Sequence, residues 1–131
     1  MNKQRVYGNA RDIYVTRKPQ GNSLIFGGSA EDGRPFARVV TTGAARVMWF
    51  YLTRHLYPEH ADVVTALVQT APLRPFGQPA VTSHVTIETD NDDIFLVSGW
   101  GGRDEWRLRL TREEARRLWQ SLDIVLHPVG W

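Results

Sequence analysis

The stretches FARVVTTGAARVMWFYL, from Phe36 to Leu52, and WRLRLTREEARRLWQSL, from Trp106 to Leu122, lie 70 residues apart and decide how the chain is organised. At this constant offset, five positions are identical and several others are similar in kind. The identical pairs are Thr41/Thr111, Ala45/Ala115, Arg46/Arg116, Trp49/Trp119 and Leu52/Leu122. This match predicts an internal repeat of two units, at about 11–56 and 81–122, joined by a helix and a proline-rich linker over 57–80.

Each stretch has the pattern of a strand that leads into a helix. In the second stretch, Arg107 and Arg109 alternate with apolar residues, which is typical of a strand with one buried face. Thr111 followed by Glu114 is the signature of a helix-capping box. Beyond it, apolar residues follow one helical face, at Ala115, Leu118, Trp119, Leu122 and Leu126. We therefore expect this helix to pack its Trp119 side onto the sheet.

The remaining segments complete two units of the same order, in which strands precede a helix. Alternating or β-branched runs predict strands at 12–18, 23–28, 36–41, 81–89, 94–100 and 105–110, and a first helix over about 42–56. A further helix is predicted from Pro58 to about Gln69. The whole is an α+β fold, a single domain over 1–131 in which two antiparallel sheet–helix units form a pseudo-dimer within one chain.

Composition excludes several classes of protein. The chain has 131 residues and no cysteine, which excludes disulfides, thiolate zinc sites, iron–sulfur clusters and cysteine nucleophiles. No stretch approaches the roughly 18 apolar residues of a membrane helix, so we expect no membrane partner. The first residues do not resemble a secretory signal, and we expect a cytoplasmic protein.

The basic residues are almost all arginine, and they are unevenly placed. Fourteen arginines and two lysines oppose 14 acidic residues, for a net charge of +2. Residues 1–58 hold nine basic and three acidic groups, whereas residues 59–98 hold one and six. An electrostatic binding face would therefore draw on the two ends of the chain.

Motifs for catalysis or metal binding are weak. The acidic run from Asp90 to Asp93 lacks the glycine and the distal glutamate of a calcium loop, and it predicts a hairpin turn. The four histidines lack helical i, i+4 pairing, and the glycine-rich segments match no nucleophile-elbow or phosphate-loop pattern. We therefore predict no catalytic residues, no metal and no cofactor, and a protein that is not an enzyme.

The strand and capped helix from Trp106 to Trp119 resemble the end of the single-stranded DNA-binding regulator fold, which is shared by the coactivator positive cofactor four and the plant Whirly proteins. In that fold a curved antiparallel sheet precedes a helix with a capped, acid-rich first turn, and two such units pair through their helices. The resemblance covers about residues 11–56 and 81–122. It implies binding of single-stranded DNA, in transcription regulation or genome maintenance.

The residues themselves also favour a surface for single-stranded DNA or RNA, because arginine bridges phosphates and aromatic rings stack on bases. The candidate residues are Arg11, Tyr14, Arg17, Lys18, Arg34, Arg38, Trp100, Arg103, Arg107 and Arg109. At the 70-residue offset Arg38 aligns with the inward Leu108, so the face on which it lies is open. Each arginine also has a simpler interpretation, as part of the solvated face of a half-buried strand.

A second hypothesis is a protein-interaction or assembly factor, which would bind another protein or a second copy of this chain. The first helix is apolar nearly all round and carries Phe50 and Tyr51 opposite its core face. The chain also ends in the aromatic Trp131 after a proline and a glycine. Large exposed apolar side chains of this kind mark contact surfaces.

Overall fold

The computed structural model describes residues 4–17, 23–60, 81–91, 93–101 and 104–126. Within these ranges the chain forms eight strands and two α-helices, which confirms the α+β class. The strands are β1 Gln4–Asn9, β2 Arg11–Arg17, β3 Leu24–Ser29, β4 Pro35–Val40, β5 Val81–Thr82, β6 His84–Asp90, β7 Ile94–Gly101 and β8 Asp104–Thr111. The helices are α1 Thr42–Leu56 and α2 Arg112–Leu126, and a short 3₁₀ helix follows α1 at Pro58–His60.

The two α-helices begin and end at positions 70 residues apart, as the offset predicts. Two elements differ from the prediction. Strand β1 was not expected, and the strand predicted over 81–89 is divided at Ser83 into β5 and β6, which belong to different sheets. Most of the helix predicted from Pro58 to Gln69, and the linker after it, lie outside the described residues.

The strands form two four-stranded sheets that exchange their edge strands. Sheet I has the order β2-β3-β4-β5, and sheet II has the order β1-β8-β7-β6. The three strands that precede each helix pair antiparallel, whereas β5 joins β4 and β1 joins β8 in parallel. The first strand of each half therefore completes the sheet of the other half. The predicted pair of antiparallel sheets is thus corrected to two mixed sheets.

The helices cross over in the same way. Helix α1 packs against β6 of sheet II, α2 packs against β2 of sheet I, and the two helices contact each other. Between the helices, the indole nitrogen of Trp119 donates to the hydroxyl of Thr53 at 2.8 Å, and that hydroxyl donates to the carbonyl of Trp49 at 2.7 Å. Both sheets and both helices contribute to one hydrophobic cluster. Neither half of the chain encloses a core without the other.

Helix α2 also protects the edge of sheet I. The backbone N–H of Val15 donates to the hydroxyl of Ser121 at 2.9 Å, and this hydroxyl donates to the carbonyl of Val15 at 3.2 Å. The N–H of Ile13 donates to the carboxylate of Glu114 at 3.4 Å. Unpaired backbone groups on an edge strand favour pairing with other chains, so these side chains close the edge.

Threonine caps both helices, which confirms the predicted cap at Thr111 and adds one at Thr41. The hydroxyl of Thr41 accepts from the N–H of Ala44 at 3.0 Å, and the hydroxyl of Thr111 accepts from the N–H of Glu114 at 3.2 Å. The carboxylate of Glu114, however, accepts from Ile13 of β2, which is a different use from the reciprocal half of a capping box. Tertiary packing redirects this side chain from its own helix to the neighbouring strand.

In each half of the chain, an aromatic residue near the start of the last strand contacts the first strand of the same half, which belongs to the other sheet. In sheet II the indole of Trp106 donates to the hydroxyl of Thr82 on β5 at 2.8 Å. In sheet I the ring of Phe36 stacks on Tyr7 of β1, with ring centroids 4.3 Å apart. Trp106 also lies on Gly99, where a Cβ atom would overlap its indole ring. These contacts hold the two sheets together at the centre of the core.

Candidate nucleic-acid interface

The outer face of sheet II forms an open groove of about 480 Å³. Strand alternation produces this surface, because Trp106, Leu108 and Leu110 of β8 are buried and the residues between them face outward. The groove is lined by Val6 and Gly8 of β1, Thr86 and Glu88 of β6, Leu96 to Ser98 and Trp100 of β7, and Glu105 and Arg107 to Arg109 of β8. The groove thus runs across all four strands of the sheet.

Two guanidinium groups follow each other along β8 in the middle of the sheet. Arg107 lies between Val6 of β1 and Ser98 of β7 in the strand register, and Arg109 lies beside Leu96. Both side chains are exposed, and neither makes an ion pair or a side-chain hydrogen bond with any residue that the structure describes. Residues two apart on a strand are about 6.6 Å apart. Two cationic donors are therefore available to an anionic ligand at adjacent positions.

An aromatic platform lies at one end of the same groove. Trp100 is 40% exposed although it belongs to a central strand of the sheet. Its ring stacks on that of His84, its register partner on β6, with centroids 5.5 Å apart and planes 8° from parallel. The Nδ1 atom of His84 in turn lies 2.8 Å from the hydroxyl of Ser83. These contacts restrict the indole ring without covering it.

The groove also contains two carboxylates. Glu105 is half-buried and is the cross-strand partner of Trp100, whereas Glu88 is exposed and is the cross-strand partner of Leu96. Within the described ranges, neither carboxylate forms an ion pair with Arg107 or Arg109. The groove therefore offers positive and negative groups at separate positions.

Of the residues predicted to bind nucleic acid, the structure brings three together in this groove, namely Trp100, Arg107 and Arg109. Arg11 and Tyr14 lie on the outer face of sheet I, opposite Ser29 and Gly27 of β3. The Tyr14 ring covers Gly27 and is 44% exposed. These two residues belong to a surface on the other sheet, separate from the groove.

Two of the residues predicted to bind nucleic acid, Arg17 and Arg38, point toward the rest of the fold and do not line the groove. Arg17 points toward α2, where its guanidinium donates to the carbonyl of Val125 at 2.7 Å. A cation at this position complements the partial negative charge at the end of a helix that has no basic residue in its last turn. Arg38 pairs in register with the buried Phe26, so it lies on the core-facing side of β4. Arg38 therefore faces inward, as does Leu108, with which it aligns in the predicted repeat. The assignment of Arg38 to an exposed binding surface is corrected.

The remaining predicted residues lie outside the groove. Arg34 is in an exposed turn, where its backbone N–H donates to the Asp32 carboxylate at 3.0 Å and its Nε lies 3.9 Å from that carboxylate. Lys18 and Arg103, which were predicted to bind nucleic acid, and Trp131, which was predicted to bind protein, are outside the described residues.

The apolar side of the first helix is used largely within the molecule. Phe50 and Tyr51 are half-buried and pack against the core, with their ring centroids 5.5 Å apart. The guanidinium of Arg54 lies 5.5 Å from the centre of the Phe50 ring. This face therefore offers less exposed apolar surface than the helix sequence predicts.

Sequence reasoning missed the contributions of β1 and β6 to the groove. Val6, which is 70% exposed, reaches it because β1 pairs in parallel with β8. The positions of Thr86 and Glu88 were available from the alternation of Val85 and Ile87 in the predicted strand. The pairing of β1 with β8 had no local signal, since it joins residues about 100 positions apart.

The described part of the chain has no group of three or more histidine, aspartate or glutamate side chains arranged to hold a metal ion. Within the same ranges, no helix combines the length and apolar character that crossing a membrane requires. No family model matches the sequence, and searches of curated proteins and of solved structures found no significant match.

Proposed function

We propose that the protein is a non-catalytic binder of single-stranded nucleic acid and that the groove on sheet II is its binding surface. The observation that carries this proposal is the arrangement of Trp100, Arg107 and Arg109. These side chains come from two adjacent strands, face the same side and line one open groove.

The two kinds of side chain suit the two parts of a nucleotide. Arg107 and Arg109 would contact successive phosphates along β8, where each guanidinium offers paired N–H donors. A base would stack on the exposed part of Trp100, and such a contact contributes on the order of 1–3 kcal/mol. Bases in a duplex are already stacked on each other, so an exposed aromatic platform favours unpaired bases.

The proposal is tested by the binding of a labelled single strand of about 12 nucleotides, which is long enough to cover the groove. Fluorescence anisotropy would measure the affinity as salt rises from about 50 to about 200 mM. Each phosphate contact contributes about −0.7 to the slope of log K against log salt, so two contacts predict a slope near −1.4.

The matched variants are Arg107→Glu/Arg109→Glu in the groove and Arg11→Glu on the outer face of sheet I. The double variant should weaken binding by about 100-fold or more, because it replaces two phosphate contacts with repulsion. Arg11→Glu should leave the affinity within about threefold of the wild type, since only the net charge changes. Absence of binding at low salt would refute the proposal. Equal losses in both variants would also refute the assignment to sheet II.

A further inference from the structure

The groove has one feature that binding to phosphate alone does not explain, the two carboxylates of Glu88 and Glu105. A surface that served only to attract phosphates would be weakened by acidic groups within it. Neither carboxylate makes an ion pair or side-chain hydrogen bond with the residues that the structure describes, so polar contacts of these two groups do not hold the described fold together.

Glu105 is the carboxylate closest in register to the aromatic platform. It is directly opposite Trp100 in the antiparallel pair of β7 and β8. Side chains at such positions have Cβ atoms about 4.5–5.5 Å apart. A base stacked on the indole of Trp100 would therefore have one edge within reach of the Glu105 carboxylate, while Arg107, two residues further along β8, contacts its phosphate.

We propose that Glu105 determines which base the groove accepts, and that it selects cytosine over thymine or uracil. This inference rests on the function proposed above. An ionised carboxylate only accepts hydrogen bonds, and the N4 amino group of cytosine donates one. Thymine and uracil carry a carbonyl oxygen at the same position, which would face the carboxylate as a second acceptor. The pyrimidine rings are the same size, so stacking on Trp100 does not distinguish them.

The other carboxylate provides a matched control. Glu88 lines the same groove and carries the same charge, but its cross-strand neighbour is Leu96, two residues before Ser98 and four before Trp100 on β7. Replacing either glutamate with glutamine removes one negative charge from the groove at nearly constant size. Both changes should remove the same repulsion toward phosphates, and only the change at Glu105 should also alter the choice of base.

The experiment compares oligo-dC and oligo-dT of equal length by fluorescence anisotropy with the full-length protein. The wild type should bind oligo-dC about tenfold more tightly, which corresponds to about one good hydrogen bond to the base edge. Glu105→Gln should reduce the ratio to near one, because the glutamine amide can donate to the thymine carbonyl as well as accept from cytosine. Glu88→Gln should leave the ratio near tenfold.

The outcomes separate the two proposals. If neither oligonucleotide binds, the proposed function fails, and the base selection fails with it. If both bind with equal affinity, or oligo-dT binds more tightly, only the selection by Glu105 is refuted. A ratio that survives Glu105→Gln, or that disappears in Glu88→Gln, would also overturn it. Retained binding of oligo-dC by Glu105→Gln, with an unchanged unfolding midpoint, shows that the variant is folded.

Discussion

The outer faces of the two sheets differ in chemistry although the sheets are built alike. Each sheet has three antiparallel strands and one parallel strand contributed by the other half of the chain. Sheet II presents the groove with Trp100 and both signs of charge. On sheet I the outward residues are mostly apolar or small, and they include Arg11, Tyr14, Thr16, Ile25, Ala37 and Val39. Core packing constrains the inner residues of both sheets, whereas the outer residues are available for function, and a shared architecture does not imply a shared role.

The largest expected effect concerns the inner face of sheet II. Gly99→Ala should lower the free energy of unfolding by about 3 kcal/mol, because its methyl group overlaps the buried indole of Trp106. Urea denaturation would measure the loss. In a Trp106→Phe background the smaller ring relieves the overlap, so the same substitution should cost less. Equal costs in both backgrounds would show that the indole is not the obstacle.

The outer faces are compared by truncating two aromatic residues of similar exposure, Trp100 on sheet II and Tyr14 on sheet I. Trp100→Ala should weaken binding of a single-stranded oligonucleotide about 10- to 100-fold, as expected for the loss of a base-stacking contact. Tyr14→Ala should change the affinity less than about twofold, since Tyr14 is outside the groove. Anisotropy titrations would measure both affinities, and a larger loss for Tyr14→Ala would move the binding surface to sheet I.

A smaller effect is expected at the edge of sheet I. Ser121→Ala removes both hydrogen bonds to the backbone of Val15 and should destabilise the fold by about 1 kcal/mol. Hydrogen exchange at the Val15 amide should accelerate, while amides of β7 in sheet II keep their protection. Gln120→Ala, at the neighbouring exposed position of α2, is the control and should stay within about 0.5 kcal/mol of the wild type.

The smallest expected effect is a pH dependence of folding stability that arises from His55. Its ring lies edge-on to Phe95 of sheet II, with ring centroids 6.0 Å apart. Burial, followed by the charges of Arg54 on α1 and Arg112 on α2, lowers the pKa of His55 below its ordinary value of 6.5. The unfolded chain therefore binds the proton at higher pH than the folded chain. This contribution to stability is complete above pH 6.5 and is lost as the pH falls toward the lowered pKa.

His55→Asn should accordingly make the unfolding midpoint less sensitive to pH between about 7.5 and 5.5. The effect should be modest because His55 is only partly buried. Urea unfolding at several pH values would measure it. A steeper pH dependence in the variant would mean that the protonated ring stabilises the fold, contrary to the direction expected here.

Local sequence signals predicted most of the secondary structure. Alternation predicted the central strands of both sheets, and the threonine cap at Thr111 predicted where α2 begins. The same alternation placed Arg107 and Arg109 on one face of β8. These signals succeed because they depend on residues a few positions apart, whose geometry is set by the periods of strands and helices.

The origin of the two units in a duplication stays a prediction, although the order of elements in both halves agrees with it. The structure adds that each half depends on the other, through the exchanged strands and the crossed helices. A sequence offset compares residues along the chain and carries no information about which sheet a strand will complete.

Local patterns in the amino-acid sequence were enough to assign the α+β class, the positions of both helices and the basic face of β8. Tertiary structure decided the rest. It placed β1 beside β8, turned Arg17 toward α2, and brought Trp100 and Glu105 opposite each other in one groove. The physical reason is that these arrangements depend on long-range pairing and on competition for one shared core. Such pairing is selected by the total burial and hydrogen bonding of the folded chain, and no local segment encodes it.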